Sequence, residues 1–314
     1  MEIICVILHR TNVLLSVGDS EGMGMEKVKN YSRYEMKVVL FDIQKECREL
    51  KEELKEAGIL VYMPFLGLEV EDGLLKVVEE LGMGVSDCLL ITNQRGHAFV
   101  AKRLGMGVVG CMEGNFEVPK TDVLLENPEE VSVNYLNLVY CHASGLPAVL
   151  AETERCFIRE LTKEDMSVLY DILIEKEVAQ FLPKKFGTRE EELDKLVAYT
   201  SYVYVFYEYG YWGIFLKETG ELIGRAGFKE GSWPLEAGYV IKYAFWGKGF
   251  ATEVLKELIM YGTEELGCEE FFVRIEEKNE ASWKVAKKCG FYEVVERKQQ
   301  ENIEEKIKEL HLVL

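Results

Sequence analysis

No C-x-x-C pair occurs in these 314 residues, although there are eight cysteines. Cys5, Cys47, Cys88, Cys111, Cys141, Cys156, Cys268 and Cys289 are scattered along the chain. A thiolate metal site needs converging ligands at short spacing, and a disulfide scaffold needs a short, cysteine-dense chain. Neither pattern is present, so no metal is expected, and reduced thiols in a cytoplasmic protein are. The chain also lacks any apolar run near the roughly 18–20 residues of a membrane span. Its opening, MEIICVILHRTNVLL, carries Glu2, His9 and Arg10 and has no basic segment before a clean apolar stretch, so it is not expected to be a secretion signal. Basic charge is short too: 37 Lys and Arg stand against 55 Asp and Glu, a net charge of -18. The first 150 residues hold 14 basic and 23 acidic groups and the rest 23 and 32, so each half is at -9. A field of that sign opposes nonspecific binding to nucleic acid or an anionic membrane, and neither partner is expected. A local patch for an anionic cofactor remains compatible with it. There is no internal repeat and no low-complexity segment.

What is present is a globular composition, 48% hydrophobic and 11% aromatic, on a chain long enough for two buried cores. The first half alternates strands and helices. Glu2–Leu8 is a β-branched apolar run, and 45–57 places Leu50, Leu54 and Ala57 at helical spacing before Gly58. Strands are expected over Ile59–Phe65, Asp87–Thr92, Gly107–Cys111 and Asp122–Leu125, with helices over Gly73–Leu81 and Gly96–Leu104. Such βαβ spacing predicts an α/β, Rossmann-like domain with a parallel sheet over residues 1–148, whose ligand position is the carboxyl edge of the strands. Periodicity lapses over 142–153, HASGLPAVLAET, which is expected to be the linker.

The second domain, 152–314, is expected to be α+β with a mixed sheet. Strands are predicted at Cys156–Glu160, Tyr211–Lys217, Leu222–Glu230, Leu235–Ile241, Glu270–Glu276 and Leu310–Leu314. Helices are predicted at Lys163–Lys176, near 188–200, and at Gly249–Leu266 and Ala281–Cys289. The charged stretch 296–309 reads as a solvated hairpin or helix. The sharpest local signal is LEAGYVIKYAFWGKGFATEVL, residues 235–255: a strand, a glycine-rich turn and at once a long helix. Gly247 and Gly249 permit positive φ and close approach of backbone to a bulky anion. The amides of 247–252 and the positive helix end would hold a pyrophosphate, with Lys248 adding charge. The alternative is an ordinary tight strand–helix turn.

From Thr153 to Leu314 the chain resembles the GNAT acetyltransferase superfamily, in particular its ribosomal-protein N-terminal acetyltransferase-like branch. TERCFIRELTKEDM is similar to that branch's first strand and helix, and YGYWGIFLKETGELIGRAGF to its central hairpin. The 235–255 segment resembles its cofactor strand, loop and helix, and FFVRIEEKNEASWKVAKKCGFYEVV the segment that closes the site. The resemblance implies an acetyl-CoA-dependent transfer to a primary amine by direct attack in a ternary complex. It implies cofactor contacts at Tyr239, Val240 and Ile241 and at Trp246, Gly247, Lys248, Gly249, Phe250, Ala251 and Thr252, with Trp246 departing from the family's Q/R. Glu236 is where the branch often carries a general base. Asn279 and Ser282 match its N-x-x-S, implying a pantetheine contact and a hydroxyl near the sulfur; a helix N-cap is the other reading, and the two are compatible. Tyr292 is an alternative proton donor. The tyrosine-rich run 199–212 is expected in the acceptor pocket wall or in a packed strand edge. The acceptor is expected to be a protein N-terminus or a small-molecule amine.

In the first half, DCLLITNQRGHAFVAKRLGMGVVGCM is similar to the last motif region of haloacid dehalogenase-like hydrolases, and TDVLLENPEEV resembles that family's terminal strand and helix. By that resemblance the nucleophile and acid aspartates fall on His9 and Thr11, and the Mg²⁺-binding acidic pair on Asn93-Gln94. Asp42 is the one carboxylate after an apolar run that would restore activity. The expectation is a phosphatase-like fold without phosphatase activity. Two other readings of the whole chain stay open: a non-catalytic acetyl-CoA sensor, and a bifunctional hydrolase–acetyltransferase.

Overall fold

A computed structural model describes residues 34–64, 70–112, 121–182, 187–293 and 307–314. The chain divides into two compact units, Met1–Ala148 and Val149–Leu314. In the first, the described elements are β1 (Val38–Asp42), α1 (Arg48–Glu56), β2 (Leu60–Tyr62), α2 (Val70–Glu80), β3 (Cys88–Thr92), α3 (Arg95–Leu104), β4 (Gly107–Cys111), β5 (Val123–Leu125) and α4 (Val133–Ser144). The strands form a parallel sheet in the order β2-β1-β3-β4-β5. Cys88–Thr92 and Gly107–Cys111 are buried at every residue, as strands are when both sheet faces are covered. α1 turns only Leu50 and Leu54 inward, one helical turn apart. The chain steps outward from β1 to β2 and then back past β1 to β3, so the crossing point lies between the ends of β1 and β3.

The expected linker is largely structured. α4 runs through 142–144, and the first strand of the next unit starts at Val149. α4 is buried from Tyr135 to Cys141, so its apolar residues form a run rather than a stripe. Its ends carry ordinary signals: the Ser132 hydroxyl accepts from the Tyr135 amide at 3.0 Å, and Gly145 takes a left-handed φ of 69°. The expected strand Glu2–Leu8, with His9 and Thr11, lies outside the described residues.

The second unit contains β6 (Val149–Glu152), β7 (Cys156–Arg159), α5 (Met166–Leu173), α6 (Lys176–Ala179), α7 (Arg189–Tyr207), β8 (Tyr211–Leu216), β9 (Leu222–Phe228), β10 (Leu235–Ile241), α8 (Phe250–Glu264), β11 (Glu270–Glu276), α9 (Glu280–Lys288), β12 (Tyr292–Glu293) and β13 (Ile307–Val313). These strands form a mixed sheet in the order β12-β13-β11-β10-β9-β8-β7-β6, antiparallel except for the parallel pair β10–β11. One face packs on α8 through Trp212, Phe228, Phe271 and Tyr261, where Trp212 meets Tyr261 edge-on at 5.3 Å. Gly262 lets α8 come this close, since a Cβ there would lie 2.5 Å from the Phe271 ring. The other face packs on α5 through Phe157, Phe215, Leu169 and Leu173.

Three boundaries differ from expectation. α7 continues to Tyr207 rather than ending near 200, so tyrosines 199, 202, 204 and 207 are helical. Aromatic and β-branched residues favour strands, but burial of Val203 and Tyr204 overrides that preference. The helix expected over Lys163–Lys176 is one turn of 3-10 helix followed by α5, and α6 starts separately at Lys176. β13 begins at Ile307, inside the stretch expected to be a solvated hairpin or helix; 296–306 lie outside the described residues. Among the described residues no helix is long and apolar enough to cross a membrane.

Candidate functional site

The site begins where two parallel strands part. β10 and β11 pair at Leu235↔Phe271 and Glu236↔Phe272, and there the ladder ends. Beyond it, Ala237–Ile241 stay bonded to β9, while Val273–Glu276 stay bonded to β13. A wedge therefore opens with the β10 edge of Tyr239, Val240 and Ile241 on one side. Unpaired strand edges present backbone donors and acceptors in a row, which suits an extended chain of amides.

The wedge leads to the glycine loop. The Trp246 indole N–H donates to the Ile241 carbonyl at 2.6 Å, pinning the loop to the end of β10. Gly247 and Gly249 have φ of 72° and 87°, the left-handed region in which glycine is least strained. α8 starts at Phe250, and its capping residue Gly249 brings no side-chain acceptor. The amides of Gly247, Lys248, Gly249, Phe250, Ala251 and Thr252 find no acceptor among the described residues. Six free donors at the positive end of a 15-residue helix form an anion cradle. The Lys248 ammonium is drawn over the Phe245 ring, 5.2 Å from its centroid.

Arg155 escaped the sequence reading. Its Nη1 donates to the Lys248 carbonyl at 3.0 Å, its Nε to Glu253 at 2.7 Å, and its guanidinium carbon lies 3.9 Å from the centroid of the Phe250 ring. It thus braces the loop against the first turn of α8. Burial alone would raise the Glu253 carboxyl, but hydrogen bonds from Thr153 and Arg155 outweigh it and leave it below its ordinary value. Nothing in the sequence marked this arginine, because its partner lies 98 positions away.

Glu236 is the last paired residue before the wedge. Its carboxylate accepts from Arg274 Nη1 at 2.8 Å and lies 3.5 Å from Lys229 Nζ. Arg274 also reaches Glu309 at 3.3 Å, and Glu309 holds His311 Nε2 at 2.6 Å. Alternation along β10 puts Glu236, Gly238 and Val240 on one face and Tyr239 on the other. The Tyr239 hydroxyl is enclosed without a hydrogen-bond partner. Burial first of all pushes it up to about 12, and it faces the Ser282 hydroxyl outside hydrogen-bond geometry.

Asn279 caps α9, its Oδ1 accepting from the Ser282 amide at 3.1 Å. The capping reading of N-x-x-S is therefore realised, and it leaves the Asn279 amide group and the Ser282 hydroxyl for other partners. Tyr292 is not brought to this place. It is half exposed on β12, and β13 and β11 intervene between β12 and β10. Of the 199–212 run, Tyr199 and Tyr204 pack against β8 while Tyr202 is exposed.

In the first unit, Asp42 is the register partner of Thr92 at the crossing point. One Asp42 oxygen meets the Thr92 hydroxyl at 2.6 Å and His97 Nδ1 at 2.6 Å. Asn93 and Gln94 follow Thr92, the Gln94 side-chain amide donating to Asn93 at 3.0 Å. Among the described residues no group of three His, Cys, Asp or Glu side chains is placed to hold a metal ion.

Residues 155–292, all within the second unit, match the acetyltransferase (GNAT) domain family. The chain is 28% identical over 145 residues to the uncharacterized N-acetyltransferase YoaA of Bacillus subtilis strain 168, covering 45% of this chain and 82% of that protein. It is 28% identical over 142 residues to the uncharacterized N-acetyltransferase p20 of Bacillus licheniformis, covering 44% and 80%. A crystal structure of a ribosomal-protein-S5-alanine acetyltransferase from Vibrio fischeri superposes with a TM-score of 0.45 at 18% identity, covering 52% of this chain and 94% of that one.

Proposed function

Residues 155–292 form a GNAT-family N-acetyltransferase domain, and we propose that it passes the acetyl group of acetyl-CoA directly to a primary amine in a ternary complex, with Glu236 as the general base. The observation that carries this reading is the continuity of the wedge between β10 and β11 with the six free amides of 247–252. A strand edge followed by an anion cradle fits a ligand with an extended amide arm and a pyrophosphate. Bound there, acetyl-CoA supplies its acyl group as an activated thioester.

The chain's own groups then divide the work by face. Backbone of Tyr239–Ile241 aligns the arm, and Asn279 adds a side-chain donor from the cap of α9. Glu236, at the apex of the wedge, takes the proton that the acceptor ammonium must lose to become the attacking amine, directly or through water. On the opposite face the Ser282 hydroxyl, backed by Tyr239, returns a proton to the departing sulfur. Tyr239 keeps its proton at neutral pH because burial raises it. With the base and the acid on different faces, the amine approaches from one side and the thiol departs on the other. The acceptor is a protein N-terminus or a small-molecule amine.

The test is thiol release from acetyl-CoA in the presence of an amine panel, with mass spectrometry of the products. Acetylated product and stoichiometric free coenzyme A are expected. Tight acetyl-CoA binding without thiol release for any amine would make the protein a sensor instead.

For the first unit we infer a haloacid dehalogenase-like fold without phosphatase activity. The parallel sheet supports this, together with Asn93-Gln94 where an acidic pair would bind Mg²⁺ and an Asp42 already engaged by Thr92 and His97. No turnover of p-nitrophenyl phosphate with Mg²⁺ is expected. Turnover that disappears in Asp42→Asn would reverse the inference.

A further inference from the structure

Glu236 shares its face of the sheet with a second ionisable group. Arg225, in the middle of β9, is the register partner of Val240 on one side and of Gly213 on the other, so its side chain leaves the sheet on the same face as Glu236. Its guanidinium carbon lies 5.1 Å from the centroid of the Tyr211 ring. Tyr211 leans over Gly238, where a Cβ would come within 2.8 Å of the Tyr211 hydroxyl, so a glycine is needed to seat the ring. Two tyrosines of α7 hold Tyr211 by its backbone: Tyr199 accepts from its N–H at 3.1 Å, and Tyr204 donates to its carbonyl at 2.6 Å.

What Arg225 lacks is a counter-charge. Arg155 has Glu253, Arg159 has Asp165, and Arg274 has both Glu236 and Glu309. Among the described residues no carboxylate lies within ion-pair distance of Arg225, and its Nε is fully enclosed without a hydrogen-bond partner. Neither Glu230 nor Glu236 pairs with it. Glu230 lies 3.5 Å from the Tyr199 hydroxyl, and Glu236 is held by Arg274 and Lys229. An enclosed donor left unpaired is costly. Such a group is retained where something that binds supplies the acceptor.

We propose that Arg225 grips a carboxylate of the acceptor, so that the preferred acceptor is an amine carrying a carboxylate in the same molecule. This rests on the acetyltransferase reading above. The flat two-pronged guanidinium matches a carboxylate better than a single-point cation does. Glu236 and Val240 are four residues apart on β10, about 13 Å at roughly 3.3 Å per residue. Arg225 lies against Tyr211, which leans over Gly238, so the separation of the two groups suits an amino acid or the first residues of a peptide. An overall charge of -18 offers a carboxylate no long-range attraction, so the selectivity has to be local.

The measurement is calorimetric titration of matched acceptors onto the full-length protein loaded with coenzyme A. One pair is an amino acid and its carboxamide; the other is a short peptide with Glu or Gln at its second position. The carboxylate member of at least one pair is expected to bind wild type about 10- to 100-fold tighter, and the pair that discriminates identifies the source. In Arg225→Gln that ratio is expected to collapse toward one. Equal binding within both pairs, or no binding of either carboxylate at millimolar concentration, overturns the proposal without any variant being needed. A ratio that survives in Arg225→Gln overturns it too, as does a matching fall in coenzyme A affinity, which would assign the guanidinium to the cofactor. These readouts involve no turnover, so they fail separately from the acetyltransferase reading, which fails on thiol release.

Discussion

Glu236→Gln is expected to lower kcat for acetyl transfer by about 10²- to 10⁴-fold, the usual contribution of a positioned general base. Glutamine keeps the shape of the side chain and can still accept from Arg274, so the sheet around Phe272 should stand. What it cannot do is take the proton that the acceptor ammonium must lose before it attacks. Two readouts separate that loss from a structural one. Acetyl-CoA affinity should change little, because Glu236 sits at the apex of the wedge and away from the 247–252 cradle. The residual rate should also climb with pH toward the acceptor's own pKa, since an amine already deprotonated needs no base. A kcat unchanged across the pH range would remove Glu236 from the mechanism.

The second large effect is expected at Gly249. Its φ of 87° suits glycine, and a β-branched side chain there is strongly strained. A Cβ at Gly249 would meet only the Arg155 guanidinium, at 3.5 Å, so the space is open and the penalty is conformational. Gly249→Val should therefore relieve its strain by rebuilding the loop, turning the amides of 247–252 away from their common focus. Acetyl-CoA affinity should fall about 100-fold, about 2.8 kcal/mol at 1.4 kcal/mol per decade. The core below α8 should keep its stability. Calorimetric titration and thermal unfolding read the two quantities separately. Affinity within twofold of wild type would mean that the cradle is not the pyrophosphate site.

Much of this site was legible in the sequence because its chemistry is local. The strand Leu235–Ile241, the turn with Gly247 and Gly249, and the helix from Phe250 are consecutive, and glycine at two positive-φ positions is a signal that needs no partner. Asn279 and Ser282 were legible for the same reason, since capping spans one turn. α4 was not, because a helix buried nearly all round has no amphipathic period. Nor was the reach of α7 to Tyr207, because intrinsic preference favoured a strand and only packing of Val203 and Tyr204 decided otherwise.

The features that make the site specific depend on partners remote in sequence. Parallel pairing of β10 with β11 ends after Glu236, while β11 stays paired along its other edge with β13, some 35 positions on. Arg155 braces the loop through a carboxylate on another element. Tyr292 stands away from the wedge because β13 inserts beside β11. Arg225 becomes notable only once Glu236, on the same face, is seen to be held by Arg274 and Lys229.

The sequence by itself determined that there is no metal-spaced cysteine cluster, that the charge is strongly acidic, and that a glycine loop joins a strand to a helix. Each is a property of composition or of adjacent residues. Tertiary structure alone decided where the strands part, that Arg225 has no ion pair among the described residues, and that the Tyr239 hydroxyl is enclosed, because pairing and burial are relations between distant residues that no local pattern encodes.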